Sequence, residues 1–365
     1  MSYVKVENLL KEYNSGDGTE VAVNDLSFSV EEGDIFTILG PSGCGKTTTL
    51  RCLAGLETIN AGRIHLAGET VSDPSRAIEK EPEQRDIGLM YQSYALWPHM
   101  TVEENITYAL DGRDYQGDNG QRVDEVLELV GMPEVRNRYP SELSGGQQQR
   151  VAFARALSYE PSLLLMDEPL SNLDLNQRRE MRTNLLRILD EVGITTIYVT
   201  HDQEEAFEIS DNTLVMNDGE KAQVGAPEEL YKRPASSFVA DFLGEANVLD
   251  VDVEPGEPTT CVMRTGDTQL RIQSNHDGPA EWHKPTATIR SEDIEILDGA
   301  RADGNGGSNV YAATLEQRRF RGNVTLYLAD VGGTQLKVQT EKPRYGVGQT
   351  VDLHIPPESV SIVDQ

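Results

Sequence analysis

The chain has 365 residues, a formal net charge of −29 and a pI of about 4.5. That length favours about two domains, each able to bury its own core, and the charge excludes the basic composition of a nucleic-acid binder. Its three cysteines, Cys44, Cys52 and Cys261, fit neither a metal spacing nor a disulfide framework, and no apolar run approaches the roughly 18 residues of a spanning helix.

The cysteine usage points to a reducing compartment; the stretch Met1–Lys5 lacks a signal peptide's charged and apolar regions, and any membrane role is expected to come through a partner. Tyr3–Val6 alternates like an edge strand, and Leu9–Tyr13 leads into the polar turn Asn14–Gly18. Val21–Val23 and Leu26–Val30 are two more strand candidates. Glu31–Asp34 then turns the chain into the apolar run Ile35–Leu39, which reads as a buried strand.

Directly behind that strand stands Gly40-Pro41-Ser42-Gly43-Cys44-Gly45-Lys46-Thr47-Thr48, which fits G-x-x-x-x-G-K-[ST]. A helical segment from Thr48, closed by Gly55, completes the strand–loop–helix setting that the motif needs. Glycines let the backbone wrap a phosphate, successive N–H groups point inward, and the helix N-terminus adds partial positive charge. Lys46 is expected to reach the β- and γ-phosphates of ATP and the Thr47 hydroxyl to ligate Mg²⁺.

Ile64–Leu66 and Ile87–Tyr91 are expected to finish a first α/β half, with residues 73–86, rich in proline and charge, as a surface excursion. Gln92 follows that last strand. Its side-chain oxygen can ligand Mg²⁺ while its loop senses a neighbouring protein, or it is simply a solvated glutamine. Thr101–Glu104 is a capping box opening a helix through Ala109, Asp111–Gly120 a polar loop, and Val123, Val126, Leu127 and Val130 mark an amphipathic helix. Ser141–Ser158 reads as a turn and then a helix. Within it, Leu143-Ser144-Gly145-Gly146-Gln147 offers a hydroxyl and unhindered amides at a helix N-terminus, a second anion site. One chain does not easily fold that site onto its own phosphate loop, whereas a head-to-tail dimer does, with two ATP molecules between the subunits.

Leu163–Met166 is a buried strand ending in Asp167 and Glu168. Asp167 suits a water-mediated Mg²⁺ contact and Glu168 the general base that polarises the attacking water. Gln177–Glu191 is a helix, and Thr195–Val199 a β-rich strand followed at once by His201, placed to reach a γ-phosphate or else structural. Tyr13 either stacks on adenine or sits in a core. Strands alternating with helices imply a parallel sheet wrapped by helices. Around Lys232–Gly244 the pattern changes. From Val248 short alternating strands such as Ala287–Arg290, Val324–Leu328 and Val351–Ile355 point to a small all-β barrel or sandwich, with Gly299–Ser308 as a flexible loop.

Taken together these stretches resemble the ATPase subunits of ABC transporters over residues 1 to about 235. Residues 40–48 resemble the Walker A loop, 163–168 the Walker B strand, 143–147 the signature, Gln92 the Q-loop residue, Ser171–Asp174 the D-loop and His201 the switch histidine. Tyr13 sits where the family's adenine-stacking aromatic lies. The segments Tyr91–Val102 and Thr195–Gln203 look like the sugar-importer branch. Asn137–Pro140 is similar to the maltose-importer ATPase, in which the position of Arg138 lies near the opposing nucleotide. Ile289–Ile294 and Val360–Asp364 resemble that branch's OB-like TOBE domain. Gln148 departs from the Lys or Arg usual after the signature, which alters surface pairing rather than nucleotide contact. Nine lysines stand against twenty-three arginines in an acid-coated chain, a balance that resembles halophilic archaeal members.

The resemblance implies a nucleotide-binding domain over 1–240, with a helical subdomain at about 93–158, and a regulatory β domain over 241–365. It implies an ATP- and Mg²⁺-dependent homodimer at the cytoplasmic face of the membrane. Signature residues 144–147 and Arg138 would then act across the dimer, with Asp174 the D-loop residue. Permease subunits would be gripped through Gln92–Val102, with an extracytoplasmic binding protein indirectly engaged. Sugar is the expected solute, with polyamine, iron, thiamine or glycerol phosphate as alternatives. A soluble ABC protein acting on DNA or ribosomes would carry two cassettes or a long coiled coil. An oligonucleotide-binding module would need basic and aromatic stripes that the C-terminal strands lack.

Overall fold

The computed structural model describes residues 2–16, 18–113, 115–254, 259–265, 268–274, 284–297, 309–342 and 344–364. It divides into two compact units, Met1–Pro227 and Glu228–Gln365.

The first unit holds eleven strands among its described residues: β1 Ser2–Ser15, β2 Gly18–Glu31, β3 Ile35–Leu39, β4 Ala61–Leu66, β5 Glu69–Asp73, β6 Ile78–Glu79, β7 Ile87–Met90, β8 Leu163–Asp167, β9 Thr195–Thr200, β10 Asn212–Asn217 and β11 Glu220–Gly225. They form two sheets. One is ordered β11-β10-β3-β9-β8-β7, with β10, β3, β9, β8 and β7 parallel and β11 an antiparallel edge. Strands β3, β8 and β9 are buried at every position, which is why they read as unbroken apolar or β-branched runs. The other sheet is antiparallel, ordered β2-β1-β4-β5-β6. The segment Ile64–Leu66, expected to share an α/β half with Ile87–Tyr91, therefore lies in a different sheet from it. The tight turn Ala67-Gly68 returns the chain at once to an antiparallel neighbour, whereas a parallel partner needs a long crossover.

Among the described residues six α-helices belong wholly to this unit: α1 Lys46–Ala54, α2 Val102–Asp111, α3 Asn119–Leu129, α4 Gly145–Leu157, α5 Leu175–Val192 and α6 Gln203–Ile209. α1 is sealed between the sheets in a core that includes Val6, Leu26, Ile38, Leu53 and Ile64, where Phe28 stacks on Phe36 with ring centroids 5.2 Å apart. On the opposite face of the parallel sheet a second core joins Ile106 of α2, Val126 of α3, Phe153 of α4 and Leu185 of α5 to Leu164 and Tyr198 of the strands. Both halves of the capping box at Thr101 form, Glu104 N–H donating to Thr101 Oγ1 (3.2 Å) and Thr101 N–H to Glu104 Oε2 (2.6 Å). Arg136 ties α2 to α3 through Glu103 and Asp124, each at 2.6 Å.

The stretch 73–86 is not only a surface excursion. Asp73 and Arg85 are buried, and the Arg85 guanidinium fills the space beneath the C-terminus of α1. It donates to the Cys52 and Leu53 carbonyls (2.9 and 3.0 Å), to Lys80 O (2.9 Å) and to Ser72 Oγ (2.9 Å), and pairs with Glu79. A cation at these carbonyls meets the negative end of the helix dipole. Gly55, which ends the helix in the left-handed region at φ 76°, leaves the room that this guanidinium occupies.

Two short helices, α7 Pro227–Lys232 and α8 Ser237–Phe242, lead into the second unit. Arg290 of that unit donates to the carbonyls of Tyr231 (2.9 Å) and Ala240 (2.6 Å) and stacks over the Tyr231 ring at 4.0 Å. These bonds bind residues 231–242 to the β-rich part, so the units part at Pro227, ahead of the position near 240 read from the sequence. Apart from a 3-10 turn at Pro357–Ser359, the remaining described elements are antiparallel strands. Pro285–Arg290 pairs with Ala246–Asp250 and Val360–Asp364, Asp252–Glu254 with Thr259–Thr265 and then Thr268–Ser274, and a five-stranded sheet surrounds Val310–Phe320. Their inward residues, among them Ile289, Leu315, Tyr327 and Leu353, make one core. The loop expected at Gly299–Ser308 lies outside the described residues.

Gly55→Ala tests the seal beneath α1. A Cβ there falls 2.5 Å from Arg85 Nε on a backbone at φ 76°. A non-glycine residue in that region costs about 1 kcal/mol, and displacing a buried charge adds more. Urea denaturation should show a loss of about 2 kcal/mol or more, and an unchanged midpoint would contradict the arrangement.

Candidate functional site

Parallel pairing sets the site. Leu39 stands opposite Thr200, Val199 opposite Asp167 and Met166 opposite Met90, so β3, β9, β8 and β7 end at one sheet edge. The next residues in each strand's path are Gly40, His201, Glu168 and, past Tyr91, Gln92. Ligands of open α/β sheets bind outside such carboxyl ends.

The loop Gly40–Gly45 leaves β3 and enters α1. Gly45, before the first helical residue, holds φ 99°, and a Cβ there would lie 2.4 Å from the Ala22 carbonyl of β2, so only glycine fits. Pro41 accepts from Cys44 N–H (3.4 Å), and Cys44 O accepts from Gly219 N–H (3.2 Å). Ser42 and Gly43 face solvent, Thr48 is half-buried, and Cys44 is buried. Lys46 is 5% exposed, and its ammonium bridges the loop by donating to Gly40 O (2.8 Å) and Pro41 O (2.9 Å). An ammonium has three donors, so the loop's own carbonyls take two and hold the charge across its mouth.

Thr47 and Asp167, read from the sequence as Mg²⁺ ligands, are in direct contact, the hydroxyl donating to Asp167 Oδ1 at 2.9 Å. Burial pushes the Asp167 carboxyl up, with the Thr47 hydrogen bond pulling the other way and the Glu168 charge adding to the rise. A divalent cation would offset that desolvation. Among the described residues no group of three or more His, Cys, Asp or Glu side chains is placed to hold a metal. One carboxylate and one hydroxyl fit Mg²⁺, which takes few protein oxygens and fills its shell with water and phosphate.

Glu168 follows Asp167 with a left-handed backbone, φ 45°, its N–H bonded to Val199 O (2.9 Å). That turn swings its carboxylate toward His201, whose Nδ1 lies 3.2 Å from Glu168 Oε2. Both remain reachable from solvent, at 20% and 51% side-chain exposure. Ser171 accounts for the turn: its N–H and hydroxyl both donate to Glu168 O, at 3.2 and 2.8 Å. The Gln92 amide donates to Ser171 Oγ (3.3 Å), and Asn172 Nδ2 donates to Gln92 O (2.8 Å). Asp174 caps α5 by accepting from the Asn176 and Gln177 amides, both at 3.0 Å.

Not every expected residue joins this cluster. Ser144 caps α4 in a reciprocal box with Gln147, Ser144 N–H donating to Gln147 Oε1 (2.9 Å) and Gln147 N–H to Ser144 Oγ (3.4 Å). A Cβ on Gly145 or Gly146 would meet nothing within 4 Å, so this helix N-terminus is open. Gln148, noted as a departure, donates to the Pro140 and Leu143 carbonyls (3.0 and 3.2 Å) and braces the turn. Arg138 is exposed. Tyr13 is half-buried rather than in a core, with Lys11 Nζ 4.7 Å from its ring centroid.

Sequence reasoning missed Ser171 as the bridge between Gln92 and Glu168, and Arg178, which pairs with Asp202 at 3.1 Å. Asp202 carried a readable signal, an acidic residue opening a helix, and it does cap α6 through the Glu204 and Glu205 amides (2.8 and 3.2 Å). Arg178 carried none, because its carboxylate partner Asp202 stands 24 residues on.

Comparison with known proteins gives the same frame. Residues 23–171 match the family model described as ABC transporter, and 287–363 the TOBE domain. The chain is 47% identical over 339 residues to the Fe(3+) ions import ATP-binding protein FbpC of Agrobacterium fabrum, covering 93% of this chain and 91% of that protein. It is 38% identical over 372 residues to the spermidine/putrescine import ATP-binding protein PotA of Pseudomonas fluorescens, covering 99% and 98%. Among solved structures, a dimeric ATP-binding cassette in a post-hydrolysis state with ADP and Pi is 30% identical, with a TM-score of 0.54 over 61% of this chain and 98% of that one. The cbiO1 protein of Clostridium perfringens, part of an ABC transporter complex, gives 0.55 at 30% identity over 63% and 90%.

The buried loop cysteine is directly testable. Burial raises the Cys44 thiol and pushes Cys52 up to about 12 and Cys261 up to about 11, so little thiolate exists near neutral pH. Ellman's reagent at about pH 8 should find none of the three thiols in the native protein and all of them in guanidinium. Rapid native labelling of Cys44 would contradict the closed loop.

Proposed function

The chain belongs to the ATP-binding subunits of ABC transporters, and we propose that it powers import of ferric iron, with a polyamine as the second reading. It is an ATPase that binds ATP with Mg²⁺ and works in an importer with permease subunits and a second cassette. The observation that carries the iron reading is the 47% identity to a ferric-ion import protein over 93% of the chain. The spermidine/putrescine relative supports the second reading through its coverage of 99% of the chain at lower identity. Sugar, expected from Tyr91–Val102, Asn137–Pro140 and Thr195–Gln203, has no such support, since proteins named for other solutes align through the same regions.

In this reading the loop amides and Lys46 hold the β- and γ-phosphates, and Tyr13 stacks on the adenine. Thr47 and Asp167 hold Mg²⁺, aided by Gln92, and the ion when bound neutralises phosphate charge. Glu168 takes a proton from the attacking water, and His201, 3.2 Å away, orients that carboxylate and reaches toward the γ-phosphate. Ser144–Gln147 and Arg138 of the second copy close the site from the other side, with Asp174 at the seam. The subunit sits at the cytoplasmic face of the membrane, its acidic coat suited to a salt-rich cytoplasm.

Three outcomes test this. Reconstituted with its permease, the ATPase should be stimulated by a binding protein loaded with Fe³⁺. Stimulation only by a spermidine-loaded or sugar-loaded one would overturn the iron reading. Glu168→Gln should slow hydrolysis by roughly 10²-fold or more while retaining ATP binding, and a native rate would remove Glu168 as the base. With 61 acidic against 32 basic residues, the melting temperature should climb between about 0.1 and 2 M KCl as repulsion is screened; a flat curve would contradict the salt-adapted reading.

A further inference from the structure

Arg178 lies one helical turn into α5, its N–H bonded to Asp174 O at 2.8 Å. Its guanidinium reaches two separate segments. Nη2 donates to Leu173 O (3.4 Å), in the segment 171–174 that also fixes Glu168 and Gln92. Nη1 donates to Asp202 Oδ2 (3.1 Å), and Nε, buried with no hydrogen-bond partner, lies 3.8 Å from Glu205 Oε1.

Asp202 and Glu205 frame His201. Asp202 N–H donates to Thr200 Oγ1 (3.0 Å), and Thr200 Oγ1 donates to Glu205 Oε2 (2.7 Å), which also accepts from Tyr198 Oη (2.8 Å). The residues on both sides of His201 are thus clamped by one polar network. Glu205 within it is 3% exposed, and burial raises its carboxyl. Arg178 is the cation facing that buried carboxylate and Asp202. Arg178 and Asp202 are about a quarter exposed and the rest of the network is buried; a network of this kind holds one geometry when its charges are matched, and loses it when one member is removed.

We propose that Arg178 is a positioning residue that transmits the placement of segment 171–174 to His201, and so sets His201 against Glu168. The proposal rests on the reading that His201 and Glu168 serve hydrolysis and that 171–174 faces the second copy. A shift of that segment moves Leu173 O, the guanidinium follows, and Asp202 carries the change to the adjoining histidine. The contact then makes the γ-phosphate side of the site responsive to dimer closure.

A double-mutant cycle on the full-length ATPase tests it. Arg178→Met should lower kcat about tenfold while the KM for ATP stays within about twofold. In the His201→Ala background the same substitution should cost nothing further, because its effect passes through that histidine. Arg178→Lys should recover only part of the rate, since one point charge does not bridge Leu173 O and Asp202 together. If Arg178→Met fails to fold, as judged by its melting curve, the cycle is run with the lysine variant. Losses that multiply across the two sites, or a raised KM at unchanged kcat, overturn the proposal and leave the reading of His201 standing. A wild-type rate in His201→Ala alone overturns both.

Discussion

In-register parallel pairing of β3, β9 and β8 is the constraint from which the rest follows. Because Leu39 faces Thr200 and Asp167 faces Val199, the phosphate loop, the acidic pair and the histidine emerge side by side from one sheet edge. A shift by a single residue would turn every side chain to the opposite face, parting Thr47 from Asp167 and His201 from Glu168. The strands run between two separate cores, one on each face of the sheet.

Around that edge the structure spends its polar groups on holding turns. Ser171 fixes the left-handed Glu168, Asp174 and Asp202 cap the helices that follow, and Lys46 spans its own loop. Each is a short-range bond that sets the exit angle of a functional residue. The signature turn is built in the same way, by the Ser144–Gln147 box. Its box bonds stay within its own helix end, and a Cβ on Gly145 or Gly146 would meet nothing within 4 Å. In the proposed reading, this turn from one copy and the loop at 40–48 from another make one composite site.

Much of this was legible in the sequence because it is local. The motif at 40–48, the capping box at Thr101 and the period of Val123, Val126 and Leu127 each carry their information within a few residues. What the sequence hid is non-local. Nothing near Arg85 says that its charge lies buried beneath α1, since the helix carbonyls it meets, those of Cys52 and Leu53, stand 33 and 32 residues earlier. Near Ile64 the tight turn Ala67-Gly68 did carry the signal for an antiparallel neighbour, and the sequence reading passed over it. The split at Pro227 was likewise hidden, as it depends on Arg290 reaching back to Tyr231 and Ala240. In the site, Thr47 was readable from the motif at 40–48 and Asp167, Glu168 and His201 from strand ends, whereas the Gln92–Ser171–Glu168 chain needed the fold.

The central claim is that one copy supplies the phosphate loop and another the signature. A crystal structure of Glu168→Gln grown with ATP and Mg²⁺ in high salt tests it most directly. A composite site requires two copies head to tail, each γ-phosphate touched by Lys46 of one and by Ser144 and the Gly145 and Gly146 amides of the other. Nucleotide contacted by a single copy, with the signature turns facing solvent, would contradict it.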